Sequence, residues 1–171
     1  HSVQAACNKV GLSSKITSNP TQILDAKSSI LPGVGAFGDA MGQISDLKLD
    51  DAIFNFIDTG KPFIGICLGM QLLFESSEEF GQYKGLGIIK GSVKKFKFSN
   101  IKQTKYPVPQ IGWNQIHKVG KSWNKSLLSS NQHNDFMYFV HSYYVKPKNK
   151  NIILSETLYG NKKYCSSIKF K

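Results

Sequence analysis

The run Gly65-Ile66-Cys67-Leu68-Gly69 sets a thiol between two glycines. A nucleophile so flanked is the pattern of a strand-to-helix elbow. The glycines let the backbone bend sharply and let neighbouring chain approach closely. Residues 62–66 form a short apolar run of strand length, and residues 70–74 are helix-forming. Cys67 is thus expected at a helix N-terminus, where N–H groups and the dipole favour thiolate over thiol. The N–H of Leu68, next in the chain, can point at a developing oxyanion. The chemistry implied is attack by a cysteine nucleophile with an oxyanion to be stabilised. The other reading of the same residues is a structural cysteine buried between a strand and a helix.

A second candidate is Pro32-Gly33-Val34-Gly35, which follows an apolar strand pattern over residues 28–31. Ligands of open α/β sheets gather at the C-terminal ends of strands, and both this loop and the elbow fall at such ends. A glycine-bearing loop beside a nucleophile can offer a second N–H to an oxyanion. An ordinary strand-to-helix turn would look the same.

These candidates need elements to hold them. Residues 2–10 carry a helical apolar face, and Gly11 is placed to cap it. Residues 15–17 suggest a weak strand, and residues 20–24 a short helix with Pro20 in its first turn. Residues 39–47 and 50–58 read as helices, with Gly60 closing the second. The alternation of strand and helix predicts an α/β fold with a doubly wound, mostly parallel sheet flanked by helices. After residue 85 the pattern becomes β-rich. Strands are expected over 85–89, 92–96, 111–117, 136–141, 152–158 and 163–170. Residues 102–109, with Pro107 and Pro109, read as a loop, and residues 123–128 as a helical turn. The expectation is one domain over residues 1–171, with an additional β-rich layer in its second half.

Composition narrows the function classes. With 171 residues and 40% hydrophobic content the chain can bury a real core and is not a disordered segment. No stretch approaches the ~20 apolar residues of a membrane span. Three cysteines, Cys7, Cys67 and Cys165, with no C-x-x-C, point to a reducing cytoplasm and no zinc site. Residues 1–86 carry 6 Lys against 9 acids, net −3, whereas residues 87–171 carry 16 Lys against 2 acids, net +14. All the basic residues are Lys, which lacks the planar fork of Arg that reads bases. A solvated Lys-biased surface is the reading, with no specific nucleic acid and no membrane as partner; a polyanion or acidic protein comes second.

The ordered set LPGVGAFGDAM, KPFIGICLGMQLLFESSEEF, GLGIIKGSV, PQIGWNQ and YFVHSYYV resembles the class I glutamine amidotransferases. Within them it resembles the glutaminase subunits of imidazole glycerol phosphate synthase, over essentially the whole chain. The resemblance implies that Cys67 attacks the side-chain amide of glutamine and forms a γ-glutamyl thioester. It implies an oxyanion strand at Gly33, Val34 and Gly35, with the Leu68 N–H as the other donor. Gln71 and Glu79 match residues that hold the α-amino and carboxylate end of glutamine, and Ser142 and Tyr143 match a loop that contacts it. Glu79 cannot lie near Cys67 on one straight helix, so the chain must turn back after Phe74.

The resemblance also implies a heterodimer with a (β/α)8-barrel cyclase subunit, which receives the ammonia and makes imidazole glycerol phosphate for histidine biosynthesis. It implies no cofactor and no metal. Family members open with a strand and glycine-rich loop before the segment that starts at His1, and carry a His-Pro-x-Glu segment beyond the region of Phe170. Residues 1–171 contain neither, so this polypeptide is expected to be an internal portion of a longer one. It is also expected to be inactive by itself, since that His is the family's general base and that Glu orients it. Two other functions fit the same motifs: a paralogue supplying ammonia to an amidotransferase of surface-sugar biosynthesis, and a non-catalytic regulatory or binding subunit that lacks the base.

Overall fold

The computed structural model describes residues 1–98, 106–120 and 123–170. They group into two compact units, residues 1–70 and 71–171.

The first unit alternates helix and strand. Helix α1 (Ser2–Lys9) ends where Leu12 N–H reaches back to the Cys7 carbonyl and Gly11 takes φ 78. Helix α2 (Pro20–Asp25) starts with Pro20 at its first position and is capped by Asn19, whose side chain accepts from Gln22 N–H at 3.2 Å. The weak strand expected at 15–17 does not form. Thr17 instead turns its hydroxyl to Asn19 N–H (3.0 Å) and to Gln22 Oε1 (2.7 Å), so its side chain serves the helix start. Strand β1 (Ser29–Leu31) leads into α3 (Phe37–Asp46); α4 (Asp50–Asp58) follows and closes at Gly60, φ 73. Strand β2 (Phe63–Gly65) then pairs with β1 in parallel, Leu31 opposite Gly65. Phe37, Ile44, Ala52, Ile53 and Phe56 are the buried apolar positions of α3 and α4. The Lys61 ammonium fastens the approach to β2 by donating to the Leu24 carbonyl at 2.8 Å.

Helix α5 (Leu68–Leu72) is only five residues long. The sequence suggests a helix to Phe74; instead strand β3 (Phe74–Ser77) begins there. The reason is where the carbonyls go. Those of Leu72, Leu73 and Phe74 accept from the N–H groups of Leu86, Ile89 and Gly87 at 2.8, 2.9 and 3.1 Å. Residues 85–88 are therefore the stop for α5 and not the strand their apolar pattern suggests.

In the second unit, the described residues form a seven-stranded sheet and a two-stranded ribbon. The sheet contains β3, β4 (Tyr83–Lys84), β5 (Ile89–Lys95), β7 (His117–Lys118), β9 (Tyr143–Pro147), β10 (Ile153–Tyr159) and β11 (Lys162–Ile168), in the order β4-β3-β5-β9-β11-β10-β7. β3 and β5 pair in parallel; the other pairs of this sheet are antiparallel. The tight turn at Gly160 (φ 61) returns β10 directly onto β11, and a turn that short dictates the antiparallel pairing. Trp123 begins a series of turns, without a helix, and its indole N–H donates to the Leu154 carbonyl at 2.7 Å. Of the loop expected at 102–109, residues 102–105 lie outside the described residues.

The ribbon pairs β6 (Gln110–Gln115) with β8 (Phe136–His141). Alternation sends Met137 and Phe139 inward against Ile116, Trp123 and Leu154. The opposite face carries Ile111 across from Val140 and Trp113 across from Tyr138, with Phe136 at its end. All five are exposed, Trp113 by 70%.

Candidate active site

β1 and β2 end side by side, and both candidate loops leave from those ends. Ile66 N–H donates to the Leu31 carbonyl at 3.0 Å, which carries the pairing one residue past the strand. The chain then turns at Cys67, with φ 52. That left-handed backbone is uncommon for a residue with a Cβ and is what an elbow imposes on its nucleophile. Gly69 N–H to Ile66 carbonyl (2.9 Å) and Met70 N–H to Cys67 carbonyl (3.0 Å) close the turn. Cys67 is exposed, while Leu68 and Gly69 behind it are buried.

The glycines of the motif are explained by contact. A Cβ on Gly65 would come within 2.8 Å of Met70 Cα, and one on Gly69 would run into the Leu31 carbonyl oxygen. Gly33 faces the same turn: a Cβ there would lie 2.9 Å from Leu68 Cβ and 3.0 Å from Gly69 N. The Pro32–Gly35 loop is therefore seated on the first turn of α5. Within it Val34 is 95% exposed and Gly35 takes φ 94, a conformation suited to glycine. The structure thus brings Gly33 and Leu68 into contact beside Cys67, in one unit. With five residues, α5 has a short dipole, so the first-turn N–H groups carry more of any thiolate stabilisation than the macrodipole does.

The other candidates, Gln71, Glu79, Ser142 and Tyr143, belong to the second unit and come together there. Gln71, only 8% exposed, donates from Nε2 to the Tyr143 carbonyl at 3.2 Å. Ser142 accepts from Phe96 N–H at 3.0 Å through its carbonyl. Burial raises the Tyr143 hydroxyl above the usual tyrosine range, and the Glu79 charge adds to it.

Glu78 and Glu79 are adjacent carboxylates with different surroundings. Glu78 accepts from Lys95 N–H at 2.8 Å and pairs with Lys94 at 3.2 Å, binding β3 to β5. The backbone bond, then the lysines, hold its carboxyl below the usual range although burial works against them. Glu75 does the same one turn of chain earlier, accepting from Gly91 N–H at 2.8 Å and pairing with Lys148 at 3.1 Å. Glu78 is thereby committed to the sheet.

His141 stands in no His-Pro-x-Glu context, and its surroundings do not suit a base. It is enclosed by the rings of Phe96, Phe139 and Tyr164, and its Nδ1 lies 2.7 Å from the Tyr143 carbonyl. Burial pushes its protonation below the usual histidine range. Sequence spacing carries no sign of the support this ring gives to the Ser142–Tyr143 segment. His117 and His133 are also occupied at Nδ1, by Asn134 Oδ1 (2.9 Å) and by Lys118 N–H (3.0 Å). Among the described residues no group of three or more His, Cys, Asp or Glu is arranged to hold a metal ion, and no helix is long and apolar enough to cross a membrane.

Comparison with known proteins gives a consistent result. The family model for glutamine amidotransferase class-I matches residues 1–169. The chain is 41% identical over 159 residues to a protein of Wolinella succinogenes named imidazole glycerol phosphate synthase subunit HisH, covering 93% of this chain and 76% of that one. Proteins of the same name from Bacillus subtilis (41% over 160 residues, 94% and 74% covered) and Aquifex aeolicus (43% over 160 residues, 93% and 73%) are equally similar. A solved glutamine amidotransferase structure superposes with TM-score 0.65 at 13% identity, covering 95% of this chain and 81% of that one, which is a likeness of fold.

Proposed function

The chain belongs to the glutamine amidotransferase class-I family, and from that premise we propose that it is the glutaminase subunit of an imidazole glycerol phosphate synthase. The observation that carries the reading is Cys67, exposed at φ 52 on an elbow whose glycines are required by contact. Its sulfur attacks the side-chain amide carbon of glutamine. The carbonyl oxygen becomes an oxyanion, stabilised by the Leu68 N–H and by an N–H of the Gly33–Val34–Gly35 loop. The C–N bond breaks, the nitrogen takes a proton and leaves as ammonia, and a γ-glutamyl thioester remains. Water attacks the thioester and releases glutamate. Gln71, Glu79, Ser142 and Tyr143 hold the α-amino and carboxylate end. The proton transfers need a base. The positions of His117, His133 and His141 support assigning it to the family's His-Pro-x-Glu segment, which residues 1–171 do not contain.

The ammonia goes to a (β/α)8-barrel cyclase subunit in the cytoplasm, for histidine biosynthesis. The word "subunit" in the relatives' names supports a partner, and so does the uncovered face of Ile111, Trp113, Tyr138 and Val140. That face is uncharged and rich in aromatic residues, the composition of an interface centre. The test is glutamate release by the intact protein with and without the cyclase, in parent and Cys67→Ala forms. Cys67→Ala should abolish release. Unchanged release from that variant would sink the reading.

A further inference from the structure

A buried polar chain runs through the second unit, and its members His141, Tyr164 and Gln110 have no role in the reaction as described. The Tyr143 carbonyl takes two donors, Gln71 Nε2 at 3.2 Å and His141 Nδ1 at 2.7 Å. A carbonyl oxygen only accepts, so in the neutral ring Nδ1 must carry the proton and Nε2 a lone pair. Nε2 lies 3.4 Å from the Tyr164 hydroxyl, whose one proton is given either to it or to Gln110 Oε1 at 3.0 Å. Gln110 is 2% exposed and stands directly across β6–β8 from His141. The chain therefore links the first residue of the aromatic ribbon to Gln71.

We propose that His141 is a positioning residue for glutamine binding, which, as the neutral Nδ1–H tautomer, fixes the Tyr143 carbonyl at the end of the Ser142–Tyr143 segment and orients the Gln71 amide through that shared oxygen. The inference rests on the glutaminase reading above. With Phe96 N–H on the Ser142 carbonyl and two donors on the Tyr143 carbonyl, both oxygens of the segment are fixed. Because Gln71 spends its Nε2–H on Tyr143, its Oε1 is turned away from that carbonyl. It is then the atom available to an α-ammonium group. The ring cannot slide, because Phe96, Phe139 and Tyr164 pack around it with centroids 5.3, 5.7 and 5.4 Å away. Burial favours the neutral ring that this arrangement requires.

Two measurements on the intact protein decide the matter. Long-range 1H–15N NMR of the histidine rings should find His141 protonated on Nδ1 and not on Nε2 at pH 7, the reverse of the tautomer favoured in water. A proton on Nε2 overturns the proposal without any substitution. In a Cys67→Ala background, where glutamine binds without turnover, calorimetry reads affinity directly. His141→Asn places an amide N–H where Nδ1–H was and should keep glutamine affinity within about threefold. His141→Gln moves that donor away and should weaken binding roughly tenfold, the worth of one hydrogen bond. If the Cys67→Ala protein binds no glutamine, the glutaminase reading falls and this one with it. If it binds glutamine and His141→Gln binds it as tightly, only the positioning role falls.

Discussion

Gly33 and Leu68 meet at the elbow so closely that a methyl group on residue 33 would lie 2.9 Å from Leu68 Cβ. The glycine of the proposed oxyanion loop and the residue after the proposed nucleophile are thus one packing unit. Gly33→Ala should push the loop off the elbow, costing ~1–3 kcal/mol and a large part of glutaminase activity. Gly69→Ala, whose Cβ meets the backbone oxygen of Leu31, should be worse. Gly42→Ala, in the interior of α3 with nothing near its Cβ, should be neutral or stabilise by up to ~1 kcal/mol. Thermal melts of the three variants check this order.

A glutamine-like alkylating reagent should label Cys67 and spare Cys165. Cys67 is exposed, whereas Cys165 is buried in β11 with its thiol pushed up to about 12, first by burial and then by Glu156. Peptide mapping of folded protein reads the outcome, and equal labelling of both would contradict the assignment.

Acid should loosen the β3–β5 pair. Glu75 and Glu78 both titrate below the ordinary glutamate value of 4.5 in the folded chain. The unfolded chain therefore binds protons first as pH falls. Their stabilisation is complete above pH ~4.5 and drains away as pH drops through the lower folded values. Melting temperature measured from pH 6 to 3 should fall, and Glu78→Gln should flatten the slope.

Trp113→Ala and Tyr138→Ala should each weaken binding to the cyclase subunit by ~2 kcal/mol or more, about thirtyfold in Kd. Labelling of Cys67 should be unaffected. Titration of the partner at constant ionic strength separates this from the Lys-rich charge of the second half.

His117→Gln and His133→Gln should leave kcat of the intact protein within a few-fold. General-base catalysis contributes ~10²–10⁴-fold. A loss of that size in either variant would relocate the base.

Much of this was readable in the chain. Gly65, Cys67 and Gly69 announce an elbow because few other local structures require that spacing, and helix α4 falls where Asp50 and Gly60 bracket it. Strand β3 was not readable. Its polar Glu75-Ser76-Ser77 has no strand alternation, and it exists because Leu86, Gly87 and Ile89 capture the carbonyls that a longer α5 would have needed. The ribbon was readable as strands but not as a surface. Alternation divides Ile111 and Trp113 from Gly112 and Asn114, and by itself it does not say which row faces solvent. The role of His141 depends on Tyr164 and Gln110, far apart in sequence, and no spacing rule joins them.

The backbone at Cys67 sets chemistry against folding. A side chain held at φ 52 costs roughly 1 kcal/mol that a glycine would not incur. Cys67→Gly should therefore melt slightly higher than the parent while losing its reaction. A chain optimised for stability alone would discard its thiol at this position first. Under the proposed reaction, the attack made by the thiol is what offsets that cost.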